Sequence, residues 1–254
     1  MTPQLSLTAI VLTYNEEKHL PGCLASLGWV PHVLVFDSFS TDQTCQIARQ
    51  SGASVLQKRF ENYAAQRNAA LKAVDSEWVL FIDADERVLP ALQAEILSRV
   101  TNNPQEHGFW IPRHNYIFGK LTRHSGWYPD YQLRLMRRVG AEYDSNRQVH
   151  ELVQLAGETA YLQNPLEHIN YERLAEFLKK QRDYTRYDAQ ILFNEGKRTQ
   201  PQNYLLQPLR QFIWRFWTLN GWRDGWHGLR LSALMAYFQF VLYRELARLA
   251  SQHK

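Results

Sequence analysis

Over the first hundred residues, short apolar runs rich in β-branched side chains alternate with stretches of helical spacing. Leu7–Thr13 (LTAIVLT) predicts a strand, and Glu16–Leu27, with Leu20, Leu24 and Leu27 on one face, predicts the helix after it. His32–Phe36 repeats the strand pattern and ends at Asp37. Thr41–Ser51 then predicts a helix, with Asp42 as a cap near its start. A third pair follows in Ser54–Gln57 and Tyr63–Ala73, and a fourth in Trp78–Ile82 (WVLFI) and Pro90–Val100, helical after its proline. Parallel strands need crossover helices, so four such alternations predict an α/β fold with a doubly wound, mostly parallel sheet. Ligands of these sheets bind beyond the carboxyl ends of the strands. The polar clusters Thr13–Asn15, Asp37–Asp42 and Asp83–Asp85 fall there.

From His107 to Gln163 the segments shorten and become rich in Trp, Tyr, Arg and His, which predicts antiparallel strands and loops. Tyr171–Phe193 predicts a polar helix, Pro201–Pro208 a break, and Leu209–Ala250 a Trp- and Leu-rich helical segment interrupted around Asn220–Gly228. The expected organisation is a catalytic domain over residues 1–170 and a helical extension over 171–254.

Composition narrows the class. A chain of 254 residues, 45% hydrophobic and 21% charged, excludes disorder and a three-domain machine. Two cysteines, Cys23 and Cys45, are too few for a disulfide framework or a zinc site built on thiolates. The first residues lack a basic region ahead of their apolar run, so a strand is expected there and not a signal peptide, and the protein is expected in the cytoplasm.

The net charge of +4 is unevenly placed: Lys197–Lys254 holds nine Lys and Arg against two acids, a net of +7, and the rest carries −3. Four of the eight tryptophans, Trp214, Trp217, Trp222 and Trp226, are interleaved there with Arg210, Arg215, Arg223 and Arg230. That mixture suits an anionic membrane surface, on the cytoplasmic face of an inner membrane, and equally a helix packed on protein or a homo-oligomer contact. The apolar stretch between Arg230 and Arg244, thirteen residues, is too short to cross a bilayer. No recognised module or dense lysine patch points to nucleic acid.

Asp83-Ala84-Asp85, directly after an apolar strand, is the sharpest chemical feature. Two carboxylates one residue apart at a strand end suit Mg²⁺ or Mn²⁺, which take hard oxygen ligands and share their remaining positions with phosphate and water. An exposed loop with helix-capping acids gives the same pattern. Glycine-rich phosphate loops of the dinucleotide and P-loop kinds are absent, so a nucleotide here is expected to be held through carboxylates and metal.

The ordered series TYNEE (Thr13–Glu17), DSFSTDQT (Asp37–Thr44), AAQRNAAL (Ala64–Leu71) and FIDADE (Phe81–Glu86) resembles the nucleotide-sugar domain of family 2 inverting glycosyltransferases, whose fold is called GT-A. The later WYPDYQLRLMRR (Trp127–Arg138), VHE (Val149–Glu151) and DGWHG (Asp224–Gly228) resemble the branch that includes lipopolysaccharide core β-1,4-glucosyltransferases. Phe39 stands where family members often carry glycine or another small residue. The resemblance implies a nucleoside pocket lined by Thr13, Asn15 and Asp37, with Asp37 toward the uracil or ribose, and a nucleotide held further by Arg67 and Asn68. Without it, Arg67 and Asn68 read as an ordinary surface pair. It also implies Asp83 near the ribose and metal, and Asp85 as a direct ligand of Mn²⁺ or Mg²⁺. The implied partners are a UDP-sugar donor, glucose first, and a glycan or glycolipid acceptor.

Transfer from such a donor needs charge stabilisation on the leaving diphosphate, and inversion needs a carboxylate base on the opposite side of the sugar. Glu151 ranks first and Asp130 second for the base. His150 stands beside Glu151 as a metal ligand, a diphosphate contact, a group that orients the carboxylate, or a buried imidazole. Arg134, Arg137 and Arg138 form a basic cluster suited to diphosphate, with Arg134 the best placed, or a solvated strand edge. Asp130 alternatively pairs with Arg134 or Arg137. Two rival functions share the sheet: a nucleotidyltransferase acting on a sugar phosphate, and a non-catalytic nucleotide-binding scaffold.

Overall fold

The structure is a computed structural model, and it describes residues 5–102, 104–144 and 153–252. The chain forms two compact units, one of Met1–Arg113 with Asp130–His168 and one of His114–Pro129 with Ile169–Lys254. Residues 114–129, placed by sequence with the first domain, belong to the second unit.

The first unit is built on strands β1 (Leu7–Thr13), β2 (His32–Asp37), β3 (Ser54–Gln57) and β4 (Trp78–Asp83), parallel in the order β3-β2-β1-β4. They are connected through helices α1 (Leu20–Ser26), α2 (Thr44–Gln50) and α3 (Tyr63–Lys72). The two-residue β5 (Glu86–Arg87) and the helix α4 (Pro90–Thr101) follow. Alternate side chains of a strand face opposite ways. Leu7, Ala9 and Val11 accordingly pack with Leu20, Leu24, Ala48, Leu92 and Ile96, while Ile10, Phe36 and Phe81 pack with Ala64, Ala70 and Leu71. A sheet covered on both faces needs strands apolar at nearly every position, and that is why β1, β2 and β4 read so plainly in sequence, whereas β3, at the edge, is mostly exposed.

Beyond β4 the sheet turns antiparallel through β6 (Gly108–Ile117), β7 (Lys120–Thr122) and β8 (Asp130–Arg137), with β8 between β4 and β6. The remaining strands are β9 (Glu142–Tyr143), β10 (Val153–Gln154), β11 (Thr159–Tyr161) and β12 (Leu166–Ile169). β12 pairs with β5, setting His168 opposite Glu86.

The second unit holds β7 and helices α5 (Leu174–Asn194), α6 (Asn203–Ile213) and α7 (Gly225–Gln252) around a core of Ile117, Tyr171, Phe177, Leu231, Phe238 and Val241. The break expected at Pro201–Pro208 lies earlier, between α5 and α6, with Pro201 in the turn before α6 and Pro208 inside that helix. Tyr204 of α6 lies against Phe240 of α7, with ring centroids 5.8 Å apart and the rings tilted by 58°. The expected interruption is present: a π turn (Trp214–Thr218), a left-handed Asn220 and a 3-10 turn (Gly221–Asp224) precede α7. A Cβ on Gly228 would collide with the carbonyl group of Gly221, so DGWHG ends in the one residue that permits this approach. Among the described residues, no helix is long and apolar enough to cross a membrane.

Candidate active site

Parallel pairing sets Thr13 beside Asp37, so the loops after β1 and β2 leave the sheet side by side. They are clasped in both directions. The amides of Asn15, Glu16 and Glu17 donate to Ser40 Oγ (2.8 Å), Thr44 Oγ1 (2.7 Å) and Asp42 Oδ2 (3.1 Å). In return the amides of Thr41 and Gln43 donate to Asn15 Oδ1 (2.8 Å) and Glu17 Oε2 (3.0 Å). Asp42 also accepts from the Thr44 amide at 3.0 Å and so holds the start of α2. Asn15, at φ 56°, tolerates the left-handed region as few residues do. Phe39, at φ 63°, occupies a turn that glycine would enter without strain, which accounts for the small residue expected there.

Asp37 sits at the centre of this clasp and is fully buried. It accepts from Thr13 Oγ1 (3.0 Å), the Ser40 amide (2.9 Å), the Ser40 hydroxyl and Gln57 Nε2 (2.9 Å). Burial pushes its carboxyl up, but these hydrogen bonds outweigh it and hold the group below the usual carboxylate range. Asp37 therefore ties β1, β2 and β3 together at their carboxyl ends, with its oxygens turned to protein donors.

At the end of β4 a second cluster joins three carboxylates to three guanidinium groups. Arg134, buried on β8, forms a two-nitrogen pair with Asp83 and donates to Glu86 Oε1 at 2.7 Å. Arg113 on β6 donates to Asp130 Oδ2 through Nε (2.9 Å) and Nη2 (2.5 Å), and lies 3.3 Å from Glu86 Oε1. Arg67 lies 3.6 Å from Asp83 and over the Phe81 ring. Burial opposes charge on Asp83, yet Arg134 and Arg67 hold its carboxyl far below the ordinary range. The same pairing holds Arg134 charged against its own burial.

Several expectations change here. Arg134 faces Asp83 and Glu86 and pairs with both. Asp130 pairs with Arg113 and accepts from Gln132, and neither Arg134 nor Arg137 is the partner. Arg137 pairs with Glu77, and Arg138 donates to the Ser76 carbonyl, so both tie the end of β8 to the approach of β4. Asn68 donates through Nδ2 to the Tyr143 carbonyl and accepts from the Tyr143 amide, at 2.8 Å each, and so pins β9 to α3. Glu151 and His150 lie outside the described residues.

Asp83 and Asp85 part company. Asp83 belongs to the arginine cluster, whereas Asp85 faces an imidazole, His168 Nε2 at 3.3 Å from its Oδ2. One carboxylate and one imidazole form a donor set that fits Mn²⁺ or Mg²⁺ when diphosphate and water complete the shell. Among the described residues, no group of three or more His, Cys, Asp or Glu side chains is placed to hold a metal alone. The thiols do not contribute: burial pushes Cys23 up out of reach, and burial with the neighbouring Asp37 raises Cys45 to about 11. Glu86, Arg113 and His168 were missed by sequence reasoning. Glu86 stood within FIDADE, but only the pairing of β8, β6 and β12 reveals what it, Arg113 and His168 do.

The polar clasps and the carboxylate cluster beside them lie beyond the carboxyl ends of the parallel strands, where sheets of this kind bind ligands. The family model described as Glycosyl transferase family 2 matches residues 8–169, and the chain belongs to that family. It is 28% identical over 248 residues to the lipopolysaccharide core biosynthesis glycosyltransferase LpsC of Rhizobium meliloti (strain 1021), covering 95% of this chain and 92% of that protein. It is 25% identical over 254 residues to an uncharacterized glycosyltransferase of Rickettsia felis, covering 94% and 89%. Among solved structures, S. aureus TarS 1-349 in complex with UDP superposes with a TM-score of 0.50 at 16% identity, covering 98% of this chain and 92% of that one. This last likeness is one of fold, the GT-A fold with a helical C-terminal extension.

Proposed function

We propose that the protein is a metal-dependent, inverting hexosyltransferase that moves a sugar, glucose first, from a UDP-sugar to a glycan or glycolipid acceptor in lipopolysaccharide or cell-envelope synthesis. The observation that carries this reading is the separation of Asp85 from the arginine cluster. It leaves one strand-end carboxylate, with His168, suited to a divalent cation beside the clasped loops. The name of LpsC, matched over nearly the whole of both chains, supports the envelope setting, and the UDP bound to TarS supports the choice of nucleotide.

The bound cation supplies Lewis-acid stabilisation of the leaving diphosphate. Asp85 and His168 hold it. The clasp of Asn15–Glu17 with Ser40–Thr44 fixes the nucleoside end of the pocket. Arg134 and Arg113 keep the surrounding carboxylates oriented before the donor arrives, which lowers the reorganisation needed in the transition state. Glu151 takes the proton from the acceptor hydroxyl. Asp130 suits that task less, because Arg113 and Gln132 engage both of its oxygens.

Calorimetric titration of UDP, with GDP and ATP as controls, in Mn²⁺ and then in EDTA tests the donor assignment. Binding selective for UDP and dependent on Mn²⁺ is expected; preference for ATP favours nucleotidyl transfer, and absence of binding favours a scaffold. For the base, Glu151→Gln is expected to bind UDP as the parent does while transfer falls at least about a hundredfold. An active Glu151→Gln enzyme shifts the assignment to Asp130.

A further inference from the structure

α6 and the π turn that extends it contain no buried residue. Leu205, Leu209, Ile213 and Trp217 recur at every fourth position, and Leu206 and Trp214 stand in the next row. In a regular α-helix residues four apart drift by about 40° around the axis. The π turn, with wider i→i+5 bonding, winds less per residue and keeps Trp217 near the line of Ile213. Trp222 and Trp226 follow in the chain. The relative exposures of these eight side chains run from 44% to 79%. Leu206, Leu209, Ile213 and Trp214 also line one shallow groove, so the apolar surface is contiguous where soluble proteins scatter such residues singly.

The charge around this face has one sign. Arg210 is exposed on it, and Arg223 lies 5.6 Å from the Trp222 ring. Arg215 is turned inward from this face, where it donates to the Ser125 carbonyl at 2.6 Å. The acid in this stretch, Asp224, is engaged by His124 through both its amide (2.9 Å) and Nδ1 (2.8 Å). A second copy of the chain would bring +7 against +7 over Lys197–Lys254, which opposes self-association through this face. An anionic bilayer matches all three features: it attracts the arginines, places indole rings at the headgroup level and accepts the aliphatic row below them.

We propose that the face formed by Leu205, Leu209, Ile213, Trp214 and Trp217, with Arg210, docks the protein on an anionic lipid surface. The helix lies along the interface, since no described helix can cross a bilayer. The proposal stands whatever the sugar donor is.

Co-sedimentation of the full chain with phosphatidylcholine vesicles, and with vesicles that also contain phosphatidylglycerol, tests it. Binding to the anionic vesicles is expected, with a blue shift of tryptophan emission and release by salt. The triple variant Leu209→Ser, Ile213→Ser, Trp217→Ser is expected to weaken partitioning by about a hundredfold, because three large apolar side chains lose their burial. Arg210→Glu with Arg223→Glu is expected to weaken it at least tenfold. Unchanged thermal unfolding of the variants shows that the fold survives, and it does so without use of UDP. Failure of the parent to bind anionic vesicles overturns the proposal, as does equal binding by the triple variant. A dimer in light scattering that the triple variant dissociates, with no vesicle binding, assigns the face to a second copy instead, and capture by an acidic protein alone assigns it to a protein partner.

Discussion

Arg134→Met is expected to lower the unfolding free energy by about 3–5 kcal/mol in urea titration, the usual penalty for removing one partner of a buried ion pair. Arg134 bridges β8 to two carboxylates, and one of them, Glu86, is fully buried. Without it, Glu86 keeps Arg113 at 3.3 Å and the Asp83 amide at 3.0 Å, too little for a charge removed from water. Adding Glu86→Leu removes that stranded charge, so the double variant is expected to recover part of the loss despite carrying two changes. A loss below about 1 kcal/mol in Arg134→Met, or strictly additive losses in the double variant, would rule out this account.

The same pair fixes the sign of the acid dependence. Asp83 is held below its ordinary value of 3.8, so on acidification the unfolded chain takes up its proton first. The stability it contributes is complete above that value and is lost as pH falls through the lower folded one. Asp37, depressed by its hydrogen bonds, acts in the same direction. In Arg134→Met the acid slope is expected to flatten, because the depression of Asp83 is largely the work of that guanidinium.

Much of the parallel half of the fold was legible from sequence. Strands covered on both faces must be apolar throughout, and WVLFI announces itself for that reason. The clasp was legible in its residues but not in its bonds: which hydroxyl meets which amide depends on Thr13 lying beside Asp37, a consequence of register. The contact of Asn68 was hidden for a related reason. Its partner is backbone 75 positions away on a two-residue strand, and no side-chain pattern marks a backbone partner. Phe39 worked the other way, since an unexpected residue pointed to a turn whose backbone is left-handed.

Asp85→Asn is expected to cut kcat/KM about a thousandfold, roughly 4 kcal/mol of transition-state stabilisation, while leaving thermal unfolding close to the parent's. Asp83 and Asp85 look equivalent in FIDADE, yet their surroundings give them different work. Asp83 reaches back to a guanidinium 51 positions on in the chain, and losing that carboxylate strands a buried cation. Among the described residues Asp85 faces His168, Nε2 to Oδ2 at 3.3 Å, and none of the three guanidinium groups, so its loss is expected to remove a ligand without breaking the network. UDP affinity in Mn²⁺ is therefore expected to fall to the value measured in EDTA for Asp85→Asn, and His168→Ala to move it part of the way. Asp83→Asn is expected to act first on stability, with weaker pairing to Arg134 and an earlier unfolding midpoint. If Asp85→Asn keeps its Mn²⁺-dependent affinity while Asp83→Asn loses it, the two carboxylates have been assigned in reverse, and Arg134 must then release Asp83 when the donor binds.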